Sequence, residues 1–165
     1  MTDFKDVVLQ ADARAKLIDE IAAYAETDLL CYFAEEEKLY AKQVDSWEPI
    51  LQWLEAEYEV KLNRTQGVMP VPQEPFWRAQ MSEFLSAFDD AALVAFATLV
   101  TNLGSVLLAW ALYSQAFDLK AILAASQLDE EYQQAEWGDD DQIKADLAEK
   151  AKKTRAAQAY LASLT

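Results

Sequence analysis

Histidine is absent from this 165-residue chain, and cysteine occurs once, as Cys31. These two absences remove disulfides within the chain, Cys-rich zinc sites, histidine metal triads, and Ser–His or Cys–His nucleophile pairs. A single thiol fits a reducing compartment, and within DLLCYF it reads as a small buried apolar residue. Glycine and proline are also scarce, with 3 and 4 copies. All-β folds need turn residues every few positions, so this scarcity points to helices. Lys and Arg total 14 against 29 Asp and Glu, a net charge of −15. Such a balance disfavours nucleic acid and anionic membranes as partners, and suits either a basic protein surface or solubility alone. No EF-hand-type loop is present, and the run Asp139, Asp140, Asp141 lacks the alternation of one, so no metal and no cofactor are expected. The opening MTDFKDVVLQADARAK has neither an apolar signal core nor an acid-poor, Arg-rich face, so no targeting segment is expected.

What the chain does contain is apolar sequence in helical periods. Apolar residues make up 53% of it, enough for one packed core, and the expected fold is an all-α single domain over 1–165. Residues 4–25 have helical spacing, with Leu17, Ile21, Tyr24 and Ala25 on one face. Leu29–Phe33 is too short for a helix and reads as an extended buried crossing. A helix begins near Glu35, and SWEP predicts a second start with Ser46 as N-cap and Pro49 in the first turn. Trp47, Ile50, Leu51, Leu54 and Tyr58 form its core stripe. Residues 60–74 carry Gly67, Pro70 and Pro72 and read as extended, with a short strand at Val60–Leu62. A helix resumes near Glu74 with the stripe Trp77, Met81, Phe84, Leu85, Phe88, and Asp89 and Asp90 end it and cap the next.

From Ala91 to Phe117 there is no charged residue, a length that could span a bilayer. Thr98, Thr101, Asn102, Gly104 and Ser105 interrupt it, and its flanks are acidic rather than basic. A helix buried on all sides accounts for the run, with a kink or a close helix contact at Gly104. Asp118 caps a helix leading into residues 126–141, SQLDEEYQQAEWGDDD. There Asp129, Glu130, Glu131, Glu136, Asp139, Asp140 and Asp141 cluster without Lys or Arg, around Tyr132, Trp137 and Gly138. Aromatic anchors flanked by charge are the composition of a recognition surface. The plainer reading is a solvated helix end, with Gly138 as C-cap and Trp137 folded onto the core. If the helix is unbroken, Glu130 and Trp137 share a face opposite Leu128, Tyr132 and Ala135. A last helix, about 140–163, carries Lys150, Lys152, Lys153 and Arg155 in its second half, as the macrodipole favours.

Five stretches carry a resemblance: ETDLLCYFAEE at 26–36, WEPILQW at 47–53, GVMPVPQ at 67–73, LVTNLGSVLLA at 99–109 and SQLDEEYQQAEWGDDD at 126–141. In their order and spacing the chain resembles the assembly chaperone of the catalytic head of ATP synthase that holds the α subunit, the ATP synthase assembly factor two family. The resemblance covers about residues 15–163. Members carry a β-rich N-terminal subdomain ahead of the helical part, whereas here the helical pattern begins almost at Met1. The resemblance implies a chaperone without catalysis, which binds unassembled α subunit and shields its β-subunit interface. It implies no nucleic acid, no membrane insertion and no small-molecule substrate, and a location in the bacterial cytoplasm or, in a eukaryote, the mitochondrial matrix. The motif places partner contacts at Asp129, Glu130, Glu131, Tyr132, Glu136, Trp137 and Gly138, with Glu130 and Glu136 as charge contacts and Trp137 as anchor. Gly67, Val68, Met69 and Pro70 form a second candidate surface, or else a rigid turn. Two other classes compete: a generic acidic helical adaptor, and an enzyme built on paired carboxylates.

Overall fold

The computed structural model describes residues 4–164; the outer ends of the expected domain, residues 1–3 and 165, lie outside them. Eight α-helices follow in order among the described residues: α1 Ala11–Ala23, α2 Glu37–Tyr58, α3 Pro75–Ser86, α4 Asp90–Leu103, α5 Val106–Tyr113, α6 Leu119–Ser126, α7 Leu128–Trp137 and α8 Asp141–Ala162. Two strands, β1 Tyr32–Phe33 and β2 Thr65–Gln66, pair in parallel with Tyr32 opposite Thr65. The buried residues form one continuous core, and the predominantly helical class is as the composition indicates.

The apolar stripes pack as their periods require. Trp47, Ile50, Leu51 and Leu54 are buried, as are Trp77, Met81 and Leu85, while Tyr58, Phe84 and Phe88 pack against them half-buried. Trp47 donates its indole N–H to the Ala125 carbonyl at 3.0 Å, fastening α2 to α6. Every residue of α5 from Val106 to Leu112 is buried. The uncharged run is thus two helices, α4 and α5, and no helix among the described residues is long and apolar enough to cross a membrane. α8 packs along α4.

Several boundaries fall elsewhere than the sequence predicts. The first helix starts at Ala11, and Phe4–Asp6 is a separate 3₁₀ turn, because the Leu9 N–H is taken by the Asp90 carboxylate (2.9 Å) rather than by a helical carbonyl. Tyr24 is exposed rather than on the buried face. Leu29–Cys31 is a 3₁₀ turn, and only Tyr32–Phe33 is extended. Ser46 starts nothing: α2 runs unbroken through Pro49. The stripe on either side of the proline is one continuous buried face, and Asp45, whose carbonyl loses its helical donor, lies with Pro49 on the solvent side where water can serve it. The strand forms at Thr65–Gln66 and not at Val60–Leu62, since the Leu62 N–H is held by Glu55 (2.8 Å) and the Asn63 N–H by the Gln73 side chain (2.8 Å).

Gly104 ends α4 in the left-handed region at φ 71°. It is a break and not a close contact, because a Cβ there would meet nothing within 4 Å. Gly104→Ala and Gly104→Leu should therefore destabilise by the same amount, about 1–2 kcal/mol from the left-handed backbone alone. Chemical denaturation checks this, and a much larger loss for leucine would reinstate overpacking as the cause.

Asp28 joins the first and the fourth of the five motifs. Fully buried, it caps the Leu29–Cys31 turn by accepting from the Leu30 N–H (3.1 Å). It also accepts from the Ser105 hydroxyl (2.6 Å) and the Leu107 N–H (3.1 Å) at the start of α5. Burial pushes its carboxyl above the ordinary value, while these donors pull the other way. Cys31 beside it is buried, and burial pushes its thiol up as well.

Candidate partner-binding surface

The acidic motif is not one helix. α6 ends at Gln127 (φ −101°, ψ 8°), whose side chain donates to the Leu147 carbonyl (3.0 Å), and α7 starts directly after it. Asp129, Glu130 and Glu131 occupy the first turn of α7, where the helix dipole favours carboxylates. Gly138 closes α7 at φ 99°, its N–H donating to Gln134. Asp140 caps α8 by accepting from the Gln142 and Ile143 N–H groups, and Asp139 pairs with Lys144 at 2.7 Å. Much of the acidic run is thus accounted for by helix ends.

The remaining side chains divide into two groups. Asp129 accepts from the Gln43 amide at 2.9 Å, and buried Gln43 also accepts from the Ala34 N–H at 2.7 Å. Tyr132 donates its hydroxyl to Glu36, the N-cap of α2, which also accepts from the Lys38 and Leu39 N–H groups. The tyrosine hydrogen bond, ahead of these amides, holds the Glu36 carboxyl below its usual range, and the same bond pushes the Tyr132 hydroxyl up to about 12. These residues fasten α7 to α2. One oxygen of Glu130 is buried and finds no hydrogen-bond partner within the described residues. Glu131 and Glu136 are exposed, and Trp137 is 86% exposed. Gly138 is therefore the expected C-cap, but Trp137 is not folded onto the core.

At the second surface, Gly67 lies at φ 104°, and its N–H donates to the Phe33 carbonyl at 2.8 Å. A Cβ on it would sit 2.9 Å from a Glu35 carboxylate oxygen. The Tyr32 hydroxyl accepts from the Val71 N–H (3.2 Å). Arg64 holds the segment from below, paired with Glu48 and Glu55, each at 2.6 Å. On this fixed base Val68 is 93% and Met69 74% exposed, and Pro70 is exposed too. The turn is held by hydrogen bonds at its base, and it presents apolar side chains to solvent.

Glu35 and Glu36 bring the two surfaces together: Glu35 lies against Gly67 and Glu36 holds Tyr132. Neither glutamate, nor Gln43, stood out in the sequence. Glu is a weak N-cap signal, and a buried Gln is visible only once its partners at Ala34 and Asp129 are placed. Among the described residues, no three Cys, Asp or Glu side chains are grouped so as to hold a metal ion.

Solved structures share this fold. Atp12 from Paracoccus denitrificans is 31% identical with a TM-score of 0.85, over 92% of this chain and 65% of that one. A point variant of that protein matches with a TM-score of 0.83 at 31% identity, over 88% and 63%. A protein of Agrobacterium tumefaciens matches with a TM-score of 0.86 at 31% identity, over 94% and 59%. The chain spans less than two thirds of the length of each of these structures. The class they define is the Atp12-type fold. Residues 2–55 also match the family model described as ATP12 chaperone protein. Over most of its length this chain has the fold of these Atp12 structures, and its N-terminal third carries the match to that family model.

Proposed function

We propose that this chain is an assembly chaperone for the catalytic head of ATP synthase, working by binding and without catalysis. Its partner is the unassembled α subunit, and it covers the surface that later meets a β subunit. An orphan subunit exposes an interface that aggregates. A stoichiometric binder stabilises it by mass action and leaves when the true partner arrives. The observation that carries this reading is Trp137, exposed at the end of α7 beside the exposed Glu136 in a chain whose residues 2–55 match the ATP12 chaperone model. Large aromatic side chains are costly to leave in water and are the usual anchors of interfaces. The partner face continues through Glu35 and Glu36 to Val68 and Met69. Residues of about 15–163 form the functional unit, and it works where α subunits are unassembled, in the bacterial cytoplasm or the mitochondrial matrix.

Co-precipitation with purified α subunit tests the reading. The wild-type chain should retain α and release it to β. Trp137→Ala should weaken retention by about tenfold or more, with an unchanged melting curve. Retention of unrelated basic proteins, with none of α, would instead support an acidic adaptor.

A further inference from the structure

We propose that α7 is a hinged arm: docked on α2 in the resting protein, it swings away about Gln127 and Gly138 as a partner is taken. What draws it out rests on the α-subunit reading above; the hinge itself does not. Among the described helices, α7 is the one with no buried residue, and none of its side chains joins the core. Apolar burial is what ordinarily holds a short helix in place, so α7 is held chiefly by its two polar ties, Gln43 to Asp129 and Tyr132 to Glu36.

Both ends are already broken. Gln127 departs from helical geometry at φ −101°, and Gly138 takes φ 99° with ψ 160°, a combination open almost only to glycine. Open grooves flank the arm: one of about 470 Å³ toward α2, lined by Lys42, Ser46, Leu128 and Tyr132, and one of about 480 Å³ toward α8. Docking also has a cost, because an oxygen of Glu130 is buried without a partner. Swinging out hydrates that oxygen and frees Asp129 and Tyr132. The arm would then offer Asp129 and Glu130 alongside Glu131 and Glu136 to a basic segment of the partner. Elements of low local stability are those that move in binding.

Spin-label distances on the isolated chain test the hinge. Labels at Lys38→Cys on α2 and Gln133→Cys on α7 report the arm, and labels at Lys38→Cys and Lys153→Cys on α8 serve as reference. All three positions are exposed, whereas native Cys31 is buried. The arm pair should show a second, longer distance. Its share should rise about tenfold when both ties are cut by Asp129→Ala and Tyr132→Phe, while the reference pair keeps one narrow distance. A single narrow distance for the arm pair, both in the parent and in the doubly cut variant, overturns the proposal. No α subunit is present, so that result would leave the chaperone reading standing.

Discussion

Asp28→Asn should destabilise the fold by about 2–4 kcal/mol, although it removes a buried charge with no cation beside it. The reason lies in the donors around the carboxylate. One oxygen accepts from the Leu30 N–H and the Ser105 hydroxyl, the other from the Leu107 N–H. An asparagine keeps the first oxygen and puts an NH₂ group against Leu107, leaving buried donors facing each other. A protonated aspartate is not equivalent to asparagine, because both its oxygens can still accept. The pH dependence separates charge from hydrogen bonding. Burial raises the Asp28 carboxyl in the fold above its unfolded value of 3.8, so the folded state holds the proton more tightly. This group's contribution to stability therefore grows as pH falls through the folded value toward the unfolded one, and is lost as pH rises. The asparagine variant lacks that gain. Denaturation midpoints should thus differ at neutral pH and differ more in mildly acidic buffer. An Asn variant as stable as wild type at neutral pH would show that relief of the charge outweighs the lost cap.

Reversal of the outward carboxylates should have the largest effect on binding. Glu136→Lys replaces attraction by repulsion toward a basic partner, and like charges across an interface cost several kcal/mol, so α-subunit affinity should fall about a hundredfold or more. Glu136 is exposed, so the same change should move stability by no more than about 0.5 kcal/mol. Glu130→Lys should behave differently. Part of its carboxylate is buried, and a lysine there should both weaken binding and lower the melting temperature. Titration of purified α subunit and thermal melting of the same samples separate the two effects. Full affinity in a folded Glu130→Lys, Glu136→Lys protein would remove α7 from the interface and leave Val68 and Met69 as the surface to test next.

The parts of this architecture legible in the sequence are those fixed by local periods and caps. The stripe of Trp47, Ile50, Leu51 and Leu54 is set by spacing, as is that of Trp77, Met81 and Leu85. Asp89, Asp118 and Gly138 act at helix ends as their types suggest. What escaped depends on distant partners. SWEP has the form of a helix start, yet the packed face of α2 carries the helix through Pro49. Asp28 before an apolar run and Ser105 before VLLA are each N-cap signals, but nothing local reveals that they share one hydrogen bond. The acidic run reads as one unit in the sequence and divides in the fold. Asp129 and Tyr132 hold α7 to α2, while Glu131, Glu136 and Trp137 are exposed.

The cover over α4 has a consequence for how the chain is made. α4 and α5 bury long apolar faces, and the helix lying along α4 is α8, the last in chain order of the described helices. During synthesis, residues 91–117 emerge well before residues 141–162 can reach them. For that interval the nascent chain carries an open apolar face of the kind that draws chains into aggregates. A ribosome stalled before Asp141 would hold a product whose helices are formed and whose core is unroofed. The chain would then need residues 141–162 in place before α4 and α5 could be left in solution.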